Sequence, residues 1–239
     1  MIDLHTHILY ESDQGPFDID ESIQIIKRAY TVGFNGLVLA PKFVLKTNFT
    51  KTRTENKYKL KKLESYLEKE GLKIKLFLAN EIFCDLEMIS KIGQDFFTSI
   101  NKSRYFLIET HHRKMSLNYL KIFSEELIAQ HYVPILTHPE QYDCFQENPE
   151  RLSELKESGL LTQLNLLSFI GENGEMAEYT AKVLLENQAI DFLATEASCS
   201  SAYDYAEESI DQMEGFIGSD KLERILKINP AKVILNQKI

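Results

Sequence analysis

The sequence predicts an α/β fold of mainly parallel strands closed into a barrel. Short, apolar, β-prone runs alternate with helical runs about seven times, and parallel neighbours need crossover connections of this kind. No Gly-x-Gly-x-x-Gly follows any predicted strand, which disfavours an open, doubly wound nucleotide-binding sheet. The length of 239 residues suits one folded barrel domain spanning 1–239 with a sizeable core.

The first strand runs from Ile2 to His5. A polar loop from Tyr10 to Phe17 leads to Asp18 or Asp20, either of which can cap a helix carrying Ile19, Ile23, Ile26 and Tyr30 at helical spacing, with its end near Gly33. Gly36 to Ala40 reads as a buried strand, and Thr52 to Glu70 as an amphipathic helix stopped by Gly71. Ile74 to Asn80 is the next strand, with Glu81 at its end. A short helical piece over Glu87 to Gly93 precedes the strand Tyr105 to Ile108, followed by Glu109. The pattern then repeats: helix Ser116 to Gln130, strand Val133 to Thr137 ending at His138, helix Glu150 to Glu157 and strand Leu161 to Leu166. Helix Glu175 to Asn187 leads to strand Ile190 to Thr195, which ends at Glu196. Helices over Tyr203 to Phe216 and Pro230 to Asn236 complete the chain.

Composition excludes several functions. A formal net charge of -9 and the lack of a clustered Lys/Arg face argue against a nucleic-acid partner. Lys57, Lys59, Lys61 and Lys62 are interleaved with glutamates and read as a solvated helix face. No apolar stretch approaches the length of a membrane span, and the N-terminus is itself a strand, so neither membrane insertion nor a signal peptide is expected. Cys84, Cys144 and Cys199 are widely spaced and odd in number, as expected of free thiols in a reducing cytoplasm. Cys199 reads as a small buried apolar side chain rather than a soft ligand.

His5 and His7, two residues apart where the first strand ends, have a chelating spacing, and Asp3 upstream is positioned to orient one ring. Alone, a His-x-His is weak evidence. The stronger signal is positional: His5, Glu81, Glu109, His138 and Glu196 each sit at or just past the C-terminal end of a different strand, the face on which barrel enzymes build their sites. Each has an ordinary reading singly, as loop acid, turn residue or helix cap. Together they are costly to bury unless paired or metal-bound. His111 and His112, just beyond Glu109, read as exposed loop histidines.

Three segments carry a family resemblance: Ile2-Asp3-Leu4-His5-Thr6-His7-Ile8 with Asp13-Gln14-Gly15-Pro16, then Thr137-His138-Pro139-Glu140-Gln141-Tyr142, and Gln163-Leu164-Asn165-Leu166-Leu167-Ser168. With the closing Asn229-Pro230-Ala231-Lys232-Val233-Ile234-Leu235, the chain resembles the PHP-domain phosphatases of the CpsB/YwqE type. These are bacterial metal-dependent protein-tyrosine phosphatases of capsular or exopolysaccharide biosynthesis. The resemblance implies a distorted (β/α)7 barrel of the metal-dependent hydrolase type, holding divalent metal ions, with Mn2+ favoured and Fe2+, Zn2+ or Mg2+ as alternatives. It implies a phosphotyrosine protein substrate and a bacterial tyrosine kinase as a further partner, and leaves oligomeric state open. One metal position would take His5, His7, Glu81 and Glu196, and a second Glu81, Glu109 and His138, with Glu81 bridging.

The chain departs from the family pattern where a third ion would bind. Gln14, Lys42 and Ser198 stand at its three ligand positions, and Glu196 stands where the family usually has Asp. Gln141 replaces an arginine able to hold phosphate oxygens in a bidentate pair. Lys42 and Gln141 are therefore the substituted positions nearest the chemistry. Either the Lys42 ammonium occupies the volume and charge of a missing ion, leaving a two-metal centre, or it reaches out to solvent. The resemblance implies phosphotyrosine hydrolysis. The alternatives are a catalytically impaired metal- or phosphoprotein-binding module and a different metal-dependent hydrolase.

Overall fold

The computed structural model describes residues 1–13, 15–47, 53–92, 97–113 and 117–239. The helix limits expected at Thr52, Gly93 and Ser116 lie outside the described residues, as does Gln14. The strands are β1 (Ile2–Thr6), β2 (Gly36–Leu39), β3 (Lys42–Phe43), β4 (Lys75–Leu78), β5 (Glu81–Phe83), β6 (Tyr105–Glu109), β7 (Val133–Thr137), β8 (Leu161–Asn165) and β9 (Phe192–Ala194). The helices are α1 (Ile19–Val32), α2 (Arg53–Lys69), α3 (Leu86–Ile89), α4 (Leu117–Ala129), α5 (Asp143–Glu147), α6 (Arg151–Lys156), α7 (Glu175–Glu186), α8 (Ser201–Ile217), α9 (Ser219–Glu223) and α10 (Asn229–Ile234). All the strand pairings are parallel.

The strands form two ladders, β1-β2-β4 and β3-β5-β6-β7-β8-β9. Pro41 explains the split. It has no N–H for the ladder, so the second strand breaks into β2 and β3. Its neighbour breaks at Ala79-Asn80, and the Asn80 amide donates to the Pro41 carbonyl (3.0 Å) to bridge the gap. Glu81 is thus the first residue of a new short strand, not the residue that follows Ile74–Asn80, and it pairs in register with Lys42. The two broken strands count as one each, which makes seven barrel strands. Closure runs between β1 and the segment after β9: Glu196 N–H donates to the His5 carbonyl (2.9 Å), His7 N–H donates to the Ala197 carbonyl (2.9 Å), and Thr6 bridges Ala197. The result is a distorted (β/α)7 barrel.

The helices dock by their apolar stripes. In α1, Asp18 caps the first turn by accepting from Glu21 N–H (2.9 Å), Gly33 ends it in the left-handed region, and Ile23, Ile25, Ile26 and Ala29 are buried. Leu4, Val38, Leu107, Ile135 and Phe192, from β1, β2, β6, β7 and β9, belong to a separate apolar cluster, the filling of the barrel below its mouth. On α2, Lys59 departs from the solvated face expected for it. Its ammonium donates to the carbonyls of Tyr10 (2.9 Å) and Glu11 (2.7 Å), pinning the loop after β1. Gly15 in that loop leaves no room for a side chain, since a Cβ there would lie 2.1 Å from the His7 carbonyl oxygen.

Asp3 does not orient a histidine ring. Between Asp3 and Thr6, β1 gains a residue against β2, and this bulge interrupts the simple alternation of side chains. Asp3 accordingly faces β9 and α8. It is fully buried and accepts from Thr195 N–H (3.1 Å), Thr195 Oγ1 (2.5 Å), Tyr203 Oη (3.1 Å) and His5 N–H (3.3 Å). Burial pushes its carboxyl above the usual range against those four bonds. Asp3 therefore fastens the seam at which the barrel closes. Tyr203→Phe is expected to lower unfolding free energy by about 1 kcal/mol and Asp3→Ala by about 3 kcal/mol, because the latter strands several buried donors at once. Urea denaturation of metal-stripped protein measures both.

Candidate metal centre

At the C-terminal mouth of the barrel, the six residues singled out in the sequence converge. Glu81 lies at the middle and its carboxylate is fully buried. Its Oε1 accepts from the Thr137 hydroxyl (2.9 Å) and lies 3.3 Å from His138 Nε2 and 3.5 Å from His5 Nε2. Its Oε2 lies 3.6 Å from His7 Nε2 and 3.4 Å from Lys42 Nζ. Glu196 brings Oε1 to 3.1 Å from His138 Nε2, and Glu109 brings Oε1 to 3.8 Å from the same nitrogen. Two of these residues owe their position to an uncommon backbone: His138 (φ 39) and Glu196 (φ 53) are left-handed. That conformation costs a non-glycine residue roughly 1 kcal/mol or more and turns both side chains at the ends of their strands.

The orientation of the imidazoles comes from residues that sequence reasoning missed. His7 Nδ1 donates to Asp13 Oδ2 (2.8 Å), whose same oxygen accepts from the Lys42 backbone N–H (2.8 Å). His5 Nδ1 donates to Gln163 Oε1 (2.9 Å). Each ring thereby aims its Nε2 at the same glutamate, and an Nε2 without its proton is the tautomer a divalent ion requires. Asn165 Nδ2 donates to Glu196 Oε2 (2.6 Å) and holds that longer carboxylate in place. Asp13 stood in the quoted loop and Gln163 and Asn165 in a quoted strand, but hydrogen-bond partners across a barrel have no sequence spacing to reveal them. Glu140 is another: fully buried, it accepts from Ser168 Oγ (2.7 Å) and Asn165 N–H (3.2 Å), and burial lifts its carboxyl to about 7.

The donor set suits divalent ions. Among the described residues, three groups bring ligand atoms within 4.8 Å of one another: His5, His7 and Glu81; Glu81, His138 and Glu196; and Glu109, His112 and His138. The second joins Glu196 to His138, whereas the resemblance puts Glu196 with His5 and His7. His5 Nε2 and Glu81 Oε2 are buried and make no hydrogen bond, only longer ion-pair contacts that an ion would replace with direct bonds.

Lys42 turns inward rather than to solvent. Its ammonium donates to Glu109 Oε2 (2.7 Å) and lies beside Glu81. Burial opposes its charge, but Glu81, Glu109 and Glu196 hold it above the ordinary lysine range. Burial likewise opposes ionisation of Glu81, yet His5, Lys42 and His138 keep it well below the usual carboxylate range. Gln141 lies half-buried on the turn after β7, Ser198 is half-buried past Glu196, and Cys199 is exposed with Sγ 3.1 Å from Ser201 Oγ, not a buried apolar group.

A parallel β/α barrel with histidines and carboxylates gathered at its C-terminal mouth is the architecture of metal-dependent hydrolases. The chain belongs to the capsular polysaccharide synthesis CpsB/CapC family, whose model matches residues 1–235. Tyrosine-protein phosphatase CpsB of Streptococcus pneumoniae is 26% identical over the full length of both chains. Tyrosine-protein phosphatase YwqE of Bacillus subtilis is 26% identical, covering all of this chain and 93% of its own. A crystal structure from a study of those two proteins, described as unique metal-dependent tyrosine phosphatases, superposes with a TM-score of 0.90 at 25% identity, covering 100% of this chain and 96% of the other.

Without an ion, the surrounding carboxylates outweigh burial and lift His7 to about 9 and His138 to about 10. A histidine whose folded pKa is raised stabilises the metal-free fold fully below its unfolded value of about 6.5, and that contribution is lost as pH rises through 9 and 10. Ion uptake at pH 8 must then displace those protons. Calorimetric titration with Mn2+ in buffers of different ionisation enthalpy is expected to show net proton release, and apparent affinity should weaken as pH falls from 8 to 6.

Proposed function

We propose that this chain is a metal-dependent phosphoric-monoester hydrolase acting on phosphotyrosine in proteins. The observation that carries the proposal is the convergence of His5, His7, Glu81, Glu109, His138 and Glu196 on one mouth, with His5 Nε2 and Glu81 Oε2 buried and free of hydrogen bonds. These six residues would hold two ions with Glu81 shared between them. Mn2+ is favoured by the family resemblance, and a set of three hard carboxylates with three imidazoles is compatible with it. When bound, the ions supply an activated water and neutralise charge on the phosphoryl group.

The chain's own residues set the geometry. Asp13 and Gln163 fix the His7 and His5 rings, Asn165 fixes Glu196, and Thr137 anchors Glu81. Lys42 contributes a permanent positive charge between Glu81 and Glu109, in place of a third ion. Gln141 offers that dianion a neutral amide where a charged fork would bind it more tightly. A tyrosine kinase of polysaccharide export is the partner whose products such an enzyme would consume, and a cytoplasmic setting accords with three free cysteines.

One observation favours a second reading, a binding module with little turnover: Lys42 already neutralises Glu81 and Glu109, as an ion would. A single comparison separates the two. Metal-stripped protein is assayed on a phosphotyrosine peptide with and without Mn2+, with His138→Ala as background. The enzyme reading expects Mn2+-dependent turnover that falls by about a hundredfold or more in the variant; turnover no greater than the variant's supports the binding module. In parallel, Gln141→Arg is expected to lower KM for the peptide severalfold with little change in kcat, since added phosphate binding is shared by ground and transition states.

A further inference from the structure

We infer that His112 is a further metal ligand of this centre, completing a position with Glu109 and His138. The inference rests on the metal-dependent reading above and extends it to a residue outside the six. His112 is not the loose loop histidine that its place after Glu109 suggests. Its carbonyl accepts from Asp143 N–H (3.1 Å), fixing the backbone to the start of α5, and Thr110 N–H two residues earlier donates to Tyr142 Oη (3.1 Å). The ring itself lies 4.8 Å from the Tyr142 ring and 4.9 Å from the His138 ring, centroid to centroid.

The direction of the ring is the second observation. His112 Nε2 is buried, makes no hydrogen bond, and points at Glu109 Oε1 from 3.4 Å. Glu109 divides its two oxygens: Oε2 takes the Lys42 ammonium at 2.7 Å, while Oε1 faces His112 and His138. The Lys42 side of this carboxylate is closed to an ion and the His112 side is open. Two imidazole nitrogens and one carboxylate oxygen around a single point are a borderline-soft set suited to a divalent transition ion. At 3.4 Å the contact of His112 with Glu109 is an ion pair too long for a strong hydrogen bond, and an ion between them would satisfy both groups.

The test uses the full chain and reads metal, not turnover. Wild type, His112→Ala, His112→Gln and the neighbouring control His111→Ala are dialysed against defined free Mn2+ or Co2+. Ions per chain are then counted by mass spectrometry, and the Co2+ proteins are compared by visible absorption. The expected result is that both His112 variants lose one class of bound ion, or weaken it by about tenfold or more, with a changed Co2+ spectrum, while His111→Ala matches wild type. Added imidazole should restore uptake to His112→Ala, which a folding defect would not allow. Wild-type uptake with unchanged stoichiometry, affinity and spectrum in both His112 variants overturns the assignment and leaves His112 as an ion-pair partner of Glu109. Absence of uptake by wild type itself overturns the metal-dependent reading along with it.

Discussion

The buried Glu81 carboxylate is the constraint around which the mouth of the barrel is arranged. An ionised carboxylate removed from water costs several kcal/mol unless it is surrounded by compensating charge and hydrogen bonds. Here His5, His7, His138, Lys42 and Thr137 approach it from three other strands or their ends. The three imidazoles are in turn held from behind, His5 by Gln163, His7 by Asp13 and His138 by its left-handed backbone. Glu81 can occupy this point only because the strand before it stops. The break at Ala79-Asn80, matched to Pro41 on the neighbouring strand, starts β5 afresh and sets Glu81 in register with Lys42.

Charge balance distinguishes this centre from a generic cluster of acids. Four carboxylates, Asp13, Glu81, Glu109 and Glu196, face the imidazoles of His5, His7, His112 and His138 and one ammonium within the mouth. Lys42 is a compact, permanent cation, whereas each histidine can exchange a proton for an ion. The fixed charge lies between Glu81 and Glu109, and the exchangeable ones lie around it. Ion occupancy and protonation are therefore alternatives at the same nitrogens, and Lys42 keeps part of the negative charge neutral whichever state prevails.

Much of this was legible in the residues. Strand ends carrying His5, Glu81, Glu109, His138 and Glu196 are visible because apolar runs have sharp limits, and polar residues at those limits have to be accounted for. The helix stripe Ile19-Ile23-Ile26, with Asp18 before it and Gly33 after it, was equally plain. The split of the second and third strands was not, although Pro41 was in view: an apolar run such as Gly36 to Ala40 does not say where its ladder partner stops. Nor was the bulge that turns Asp3 away from His5, because strict alternation is the default and one extra residue reverses it.

The sequence by itself determined the alternation of strands and helices, the family to which the chain belongs, and the residue types at the barrel mouth, since hydrophobic periodicity and local caps are written within a few residues of one another. Only the tertiary structure decided that Lys42 turns inward to Glu109, that Asp13 and Gln163 aim the two imidazoles, and that His112 faces the same point as His138. Those contacts join residues from different strands, up to 158 positions apart for His5 and Gln163. Their geometry is fixed by barrel closure and by the demand that buried charge be paired, which no local pattern in the chain encodes.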